Sequence, residues 1–287
     1  MDTFINLFTN GIATGMAIFL LAVGLSIIFG LMGILNFAHG AFFLWGAYVG
    51  TWVFGRTQSF FLALASAILA GALLGVILER TTISRVFGNH LSQILLTMGL
   101  MLVLGELVKV VWGPNMLTSP PPGFLEGSWE FGGIVLIKYR LFTIVVGLVV
   151  ALAVYILLTR TRLGIIVRAG VENPEMVQAL GIDIRKVFTM VFALGAGLAA
   201  LGGAIMGPLG GSISPTMGLD NQLLAFIVVV TGGLGSFVGS LVGALLVGLI
   251  GAAVSWFVPE AALAVNVLLM ALVLLVKPTG LFGGGNI

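Results

Sequence analysis

Long apolar runs follow one another along this chain with only short polar breaks between them. With approximate boundaries, they cover 5–30, 40–55, 60–78, 91–111, 141–158, 187–206, 222–235, 237–257 and 262–276. Apolar runs of this length read as helices that cross a bilayer. Two of them, 40–55 and 222–235, fall short of the ~20 residues a full crossing needs. They are expected as half-helices or re-entrant segments, so the pattern predicts an all-α polytopic bundle of eight or nine crossings. The start of the chain, MDTFINLFTNGIATG, lacks a basic leader and a small-residue cleavage site and reads as the beginning of the first span.

The largest polar departure is Thr159 to Lys186, which carries Arg160, Arg162, Arg168, Arg185 and Lys186 with Glu172, Glu175 and Asp183. Its middle predicts a short helix over Pro174–Leu180, with Asn173 as N-cap, Pro174 at the first helical position, Glu175 in the first turn and Gly181 as the stop. Met176, Val177 and Leu180 then form an apolar stripe at helical spacing. An ordinary connection needs neither this length nor these caps, so a surface helix offered to another protein is expected.

Composition supports the membrane reading. Hydrophobic residues make up 60 % of the chain and charged residues 8 %, against about 25 % charged in ordinary soluble domains. Cysteine is absent, which excludes thiol and disulfide chemistry. A net charge of +2 with no basic run excludes a nucleic-acid partner. Orientation follows from Lys and Arg. Arg80, Arg85, the five in 159–186 and Lys277 stand on one side, and Arg56, Lys109, Lys138 and Arg140 on the other. The positive side faces the cytoplasm, which puts 159–186 and the C-terminus inside. The segment 113–139, with Pro120–Pro122, and the N-terminus lie outside.

Two interruptions fall in corresponding positions of the two halves, Gly30–Gly40 and Thr231–Ser236. Paired broken segments mark the site in repeat-built transporters; tight turns between helices would give the same pattern. Asn36, His39, Gly40, Gly232, Gly233 and Gly235 are therefore candidates for a translocation path. For His39 a satisfied buried histidine is the commoner explanation. Glu106 and Lys109 are expected as a local ion pair on one helix face. No HExxH, GxSxG or paired-carboxylate pattern occurs, and the glycine run at 232–235 lacks the lysine of a phosphate-cradling loop.

Four runs carry a family resemblance: FGLMGILNFAHGAFFLWGAYVG (Phe29–Gly50), RAGVENPEMVQALGI (Arg168–Ile182), VVTGGLGSFVGSLVGALLVG (Val229–Gly248) and LLVKPTGLFG (Leu274–Gly283). Together they resemble the LivH-like permease subunits of branched-chain amino acid ABC importers, over essentially the whole chain. The resemblance implies one transmembrane permease domain over 1–287. It also implies a second LivH- or LivM-like permease, two cytoplasmic ATPase subunits that bind ATP and Mg²⁺, and a periplasmic amino-acid-binding protein in the bacterial inner membrane. The segment with Asn173, Pro174, Glu175, Val177, Ala179, Leu180 and Gly181 becomes the helix that couples to an ATPase. It departs from the EAA-x3-G loop of other importers, with Val177-Gln178-Ala179 before Leu180-Gly181. Ala41 follows Phe-Ala-His-Gly where many members are acidic, so urea or another small polar solute stays open as substrate. An ion-coupled secondary transporter is the alternative from another class, with His39, Glu106 and Asp220 as its candidate ion groups.

Overall fold

In the computed structural model, residues 2–131 and 134–283 are described. Eleven α-helices run in the order α1 Asp2–Met32, α2 His39–Thr57, α3 Phe60–Thr81, α4 His90–Trp112, α5 Lys138–Arg160, α6 Arg162–Glu172, α7 Pro174–Ala179, α8 Ile184–Gly210, α9 Met217–Gly232, α10 Phe237–Phe257 and α11 Ala262–Val276. Seven segments among the described residues are helical and apolar for long enough to span a membrane, in α1, α3, α4, α5, α8, α10 and at Pro259–Val276. This is the helical bundle the pattern predicts, with α9, at 16 residues, as the expected short helix, whereas α2, at 19 residues, is longer than expected. Their bounds are shifted from the expected 40–55 and 222–235.

Small residues set the architecture. α1 and α8 are buried along most of their length and cross antiparallel, with the backbone of Gly24 against Gly195 and Gly202 against Leu20. α10 lies antiparallel to α1, with Gly15 on the carbonyl of Ala244. α2 runs parallel to α8, its Gly46 on the backbone of Ala200 and its Gly50 beside Ala204. Lipid tails are as apolar as leucine, so helices in a bilayer associate by close packing, and glycine and alanine bring backbones nearest. The outer helices α3, α4, α5 and α11 point Leu69, Leu102, Leu152 and Leu275 away from the bundle.

These directions sort the helix ends between the two ends of the bundle without reference to charge. The C-terminal ends of α1, α3, α5 and α11 share one end of the bundle with α6, α7 and the start of α8. Residues 113–131 and 134–137 lie at the other end. That end carries a feature an all-α reading does not contain. β1 Leu117–Thr118 pairs antiparallel with β4 Ser212–Ile213, and β2 Ser128–Phe131 pairs with β3 Ile134–Ile137. The pairing of β1 and β4 ties the segment to the end of α8, and the hydroxyls of Thr51 and Ser119, 2.9 Å apart, tie it to α2. Glu106 and Lys109 form the expected pair at 2.6 Å on α4.

Single cysteines probe this sidedness cleanly, because the native chain has none. Gln178→Cys in α7 is expected to resist an impermeant thiol reagent added outside whole cells, and Gly123→Cys to react. The opposite pattern would invert the orientation.

Candidate functional site

The first interruption is tighter than Gly30–Gly40. α1 continues through Met32 and ends at Gly33, whose φ of 63° suits glycine. The non-helical backbone is Gly33–Ala38. Asn36 orders its exit: its Oδ1 accepts from the Ala38 amide at 3.0 Å, an Asx turn that starts α2. The Phe37 amide donates to Thr97 Oγ1 of α4 at 3.2 Å.

α2 therefore begins inside the bundle. His39 Nε2 lies 3.1 Å from the carbonyl of Leu21, and α1 runs on from Leu21 to Met32, about 16 Å of helix at 1.5 Å per residue. α9 begins at the same depth. A Cβ on Gly218 would stand 2.8 Å from the Gly40 carbonyl oxygen, and one on Gly40 would strike that of Gly218. The N-terminal ends of α2 and α9 thus abut in mid-bundle, α2 running to one end and α9 to the other. Irregular backbone at such depth survives only where protein or water surrounds it.

The polar groups at this junction are incompletely matched. Gln222 Nε2 reaches the Asn36 carbonyl at 3.4 Å. Asn36 Nδ2, His39 Nδ1 and Gln222 Oε1 are all buried without a hydrogen-bond partner. Buried polar groups are ordinarily paired. His39 is thus the buried histidine, half satisfied by Leu21. Gln222 and Thr97 were missed as members of this cluster, although both are polar residues inside apolar runs.

The glycines of the second interruption sit elsewhere. Thr231 and Gly232 are still helical, and the break is Gly233–Ser236. It lies at the far end of α9 from Asn36 and His39. Gly232 packs on Gly239 of α10, Gly233 (φ 112°) on Phe282–Gly283, and Gly235 on Gly30 of α1. The amides of Leu281 and Phe282 donate to the carbonyls of Thr231 and Gly232 at 2.9 and 2.8 Å, so the C-terminal segment caps α9. The second break thus meets the C-terminal part of α1 at Gly30 and not the first break, whose polar residues gather at the other end of α9.

The polar segment 159–186 holds more helix than the pattern predicts. α6 precedes the short helix, capped by Thr161 Oγ1 on the Gly164 amide at 3.2 Å. Leu163, Gly164, Val167 and Gly170 form its inward face, an i, i+3, i+4 signal that was available and missed. Arg168 donates to the Leu158 carbonyl at 2.6 Å and closes the end of α5. α7 follows as expected, with Asn173 Oδ1 accepting from the Met176 amide at 2.9 Å. It ends one residue early, at Ala179, with Leu180 in the capping position. Ile182 N bonds Val177 O and Gly181 N bonds Gln178 O, the Schellman arrangement, with Gly181 at φ 83°. The apolar stripe needs correction: Val177 is 3 % exposed and belongs to the core, whereas Met176 and Leu180 are 58 % and 74 % exposed. After α7, Asp183 caps α8 through the amides of Arg185 and Lys186. The ammonium of Lys186, 3.3 Å away, holds its carboxyl below the usual range. This cap is complete at neutral pH and is lost as acid protonates Asp183.

Over residues 7–276 the chain matches the family model described as branched-chain amino acid transport system, permease component. The chain belongs to this permease family. It is 30 % identical to the high-affinity branched-chain amino acid transport permease LivH of Salmonella typhimurium, over 96 % of this chain and 94 % of that protein. It is 29 % identical to BraD of Pseudomonas aeruginosa, with the same coverage. A more distant relative is the ribose import permease RbsC of Escherichia coli, 27 % identical over 80 % of this chain and 71 % of that one. Among solved structures, the chain resembles PsaBC from Streptococcus pneumoniae in complex with Fab, with a TM-score of 0.51 at 12 % identity, covering 95 % of this chain and 92 % of that one. A likeness at that identity speaks to the fold alone. The permease is thus a multi-pass membrane transport subunit and not an enzyme, of a family whose importers work with ATPase and binding-protein partners.

Proposed function

We propose that the permease forms half of the translocation path of an ATP-driven importer of branched-chain or other neutral amino acids in the bacterial inner membrane. A second LivH- or LivM-like permease supplies the other half. Two ATPase subunits dock from the cytoplasm and bind ATP and Mg²⁺, and a periplasmic binding protein delivers the amino acid. Likeness to LivH and BraD over nearly the whole chain supports the class of solute. The excess of Lys and Arg at the end bearing α6 and α7 supports the orientation.

The observation that carries a transport mechanism is the abutment of α2 and α9 at mid-bundle. A junction of two helix ends, held by the backbone contact of Gly40 with Gly218, the Phe37–Phe226 ring contact and one long Gln222–Asn36 hydrogen bond, parts more easily than a continuous helix pair. Its unpartnered Asn36 Nδ2, His39 Nδ1 and Gln222 Oε1 gain partners when water or solute enters. Closure of the ATPases moves α7, and the packing of α6 on α5 and α1 transmits that movement to the bundle. No bond of the solute is made or broken.

The test replaces Asn36 or His39 by alanine in the complete importer, reconstituted in proteoliposomes with its binding protein. Amino acid uptake is expected to fall in both variants, with assembly and stimulated ATP hydrolysis retained. Wild-type uptake by both would exclude the junction from the path, and failure of assembly would make the residues structural.

A further inference from the structure

A second polar region lies in the outer half of the bundle. A chamber of about 640 Å³ opens between α1, α9, α10 and α11, within the size range of small-molecule sites. The stripe Asn10, Thr14, Ile18 of α1 forms one wall, and the i, i+4, i+8 spacing puts all three on one face. Leu219, Leu223 and Leu263 make most of the rest apolar.

Beside Asn10, Thr14 and Ser255, two further polar side chains line the chamber, and each offers it an acceptor oxygen. Asp220, in the first turn of α9, has no ion-pair partner among the described residues. A carboxylate within the membrane span marks function unless a partner neutralises it. Asn266 is 4 % exposed, the one buried residue of α11, and its Oδ1 has no hydrogen-bond partner. A carboxylate and an orphaned amide oxygen on one apolar chamber ask for a ligand that donates hydrogen bonds and carries positive charge. An adjoining cavity of about 400 Å³ shares Asn10, Ala252 and Ser255 with the chamber and holds Arg140, in the first turn of α5. A cation thus stands near the outer mouth and an anion deeper in.

We propose that this chamber is a resting site for an α-amino acid within the subunit. The ammonium group lies against Asp220 and the Asn266 amide oxygen, an aliphatic side chain lies along the leucines, and Arg140 draws in the carboxylate. This rests on the reading of the chain as part of an amino acid importer and adds the groups that recognise the solute. The retained solute is one with a free ammonium group; a carboxylic acid of the same skeleton is not held.

The test uses the whole importer in nanodiscs with Thr14→Cys in this chain, and a cationic thiol reagent as probe. L-Leucine at high concentration is expected to slow modification of Cys at this position several-fold. 4-Methylpentanoate, which is leucine without its ammonium group, is expected to give no protection. Asp220→Asn is expected to remove the protection and to lower leucine uptake in proteoliposomes several-fold, because the exposed carboxylate is the group that meets the ammonium; Asp220→Glu restores both. Equal protection by the two compounds, protection that survives Asp220→Asn, or no protection in a complex that takes up leucine overturns the assignment. If Asp220→Asn does not assemble, the contrast between leucine and 4-methylpentanoate on native Asp220 decides alone. A wild-type complex that takes up ribose or urea but no amino acid refutes the functional reading as well.

Discussion

Gly46→Leu is expected to abolish the folded permease. A Cβ at position 46 would overlap the backbone of Ala200, so even alanine forces α2 away from α8. Backbone atoms have no rotamer by which to yield, and overpacking a filled interior costs about 1–3 kcal/mol or more. The displacement carries further, because α2 brings His39 to Leu21 and Gly40 to Gly218. The measurement is the yield of monodisperse protein in detergent, with the thermal midpoint of whatever is recovered. Gly46→Ala is expected to lower the midpoint, and Gly46→Leu to leave no folded material. By contrast, a Cβ on Gly55, an exposed position of the same helix, meets no atom within 4 Å, and Gly55→Leu is expected to behave as wild type. Equal yields from Gly46→Leu and Gly55→Leu would contradict the packing.

Gly181→Pro is expected to separate ATP hydrolysis from uptake. Gly181 holds φ at 83° and donates its amide to the Gln178 carbonyl. Proline fixes φ near −65° and has no amide hydrogen, so it removes both the turn and the hydrogen bond that end α7. At an incompatible position such a change destabilises locally by more than about 1 kcal/mol, enough to lower coupled uptake about tenfold. Gly181→Ala keeps the amide and pays only the left-handed penalty of about 1–2 kcal/mol, so it falls between. Leu180→Asp tests the docking surface separately: the side chain is 74 % exposed, so the fold tolerates the charge and an apolar groove on an ATPase does not. Uptake and basal ATP hydrolysis are measured in proteoliposomes, with insertion checked by the Gly123→Cys label. Unchanged uptake and unchanged ATPase binding in both Gly181→Pro and Leu180→Asp would remove α7 from coupling.

What was legible in the sequence is what short-range chemistry decides. Hydrophobic run lengths alone predict the spanning helices, because a backbone in lipid must satisfy its own hydrogen bonds within the segment. Asn173, Pro174 and Gly181 predicted the cap, first turn and stop of α7, since each acts on amides or dihedral angles within a few residues. The Glu106–Lys109 pair is local in the same way. The breaks were legible as places, but their edges moved inward. Glycine permits a turn without demanding one, so Gly30 and Gly232 stay helical where neighbouring backbones pack on them.

Only the tertiary structure decided which polar residues meet. Whether Val177 belonged to the docking stripe depended on what α7 packs against, and the core took it. β1 and β4 are two-residue strands almost a hundred positions apart, too short to leave a periodic signal. Asn36 and His39 meet Gln222 rather than Gly232–Gly235, because α9 presents its first turns to α2 and its last to α10 and the C-terminal segment. Asp220 and Asn266 are 46 residues apart on different helices, and no local pattern puts both on one chamber. Close contacts of glycine and alanine between packed helices bring those pairs to one depth, and such contacts are made between segments that the linear order keeps far apart.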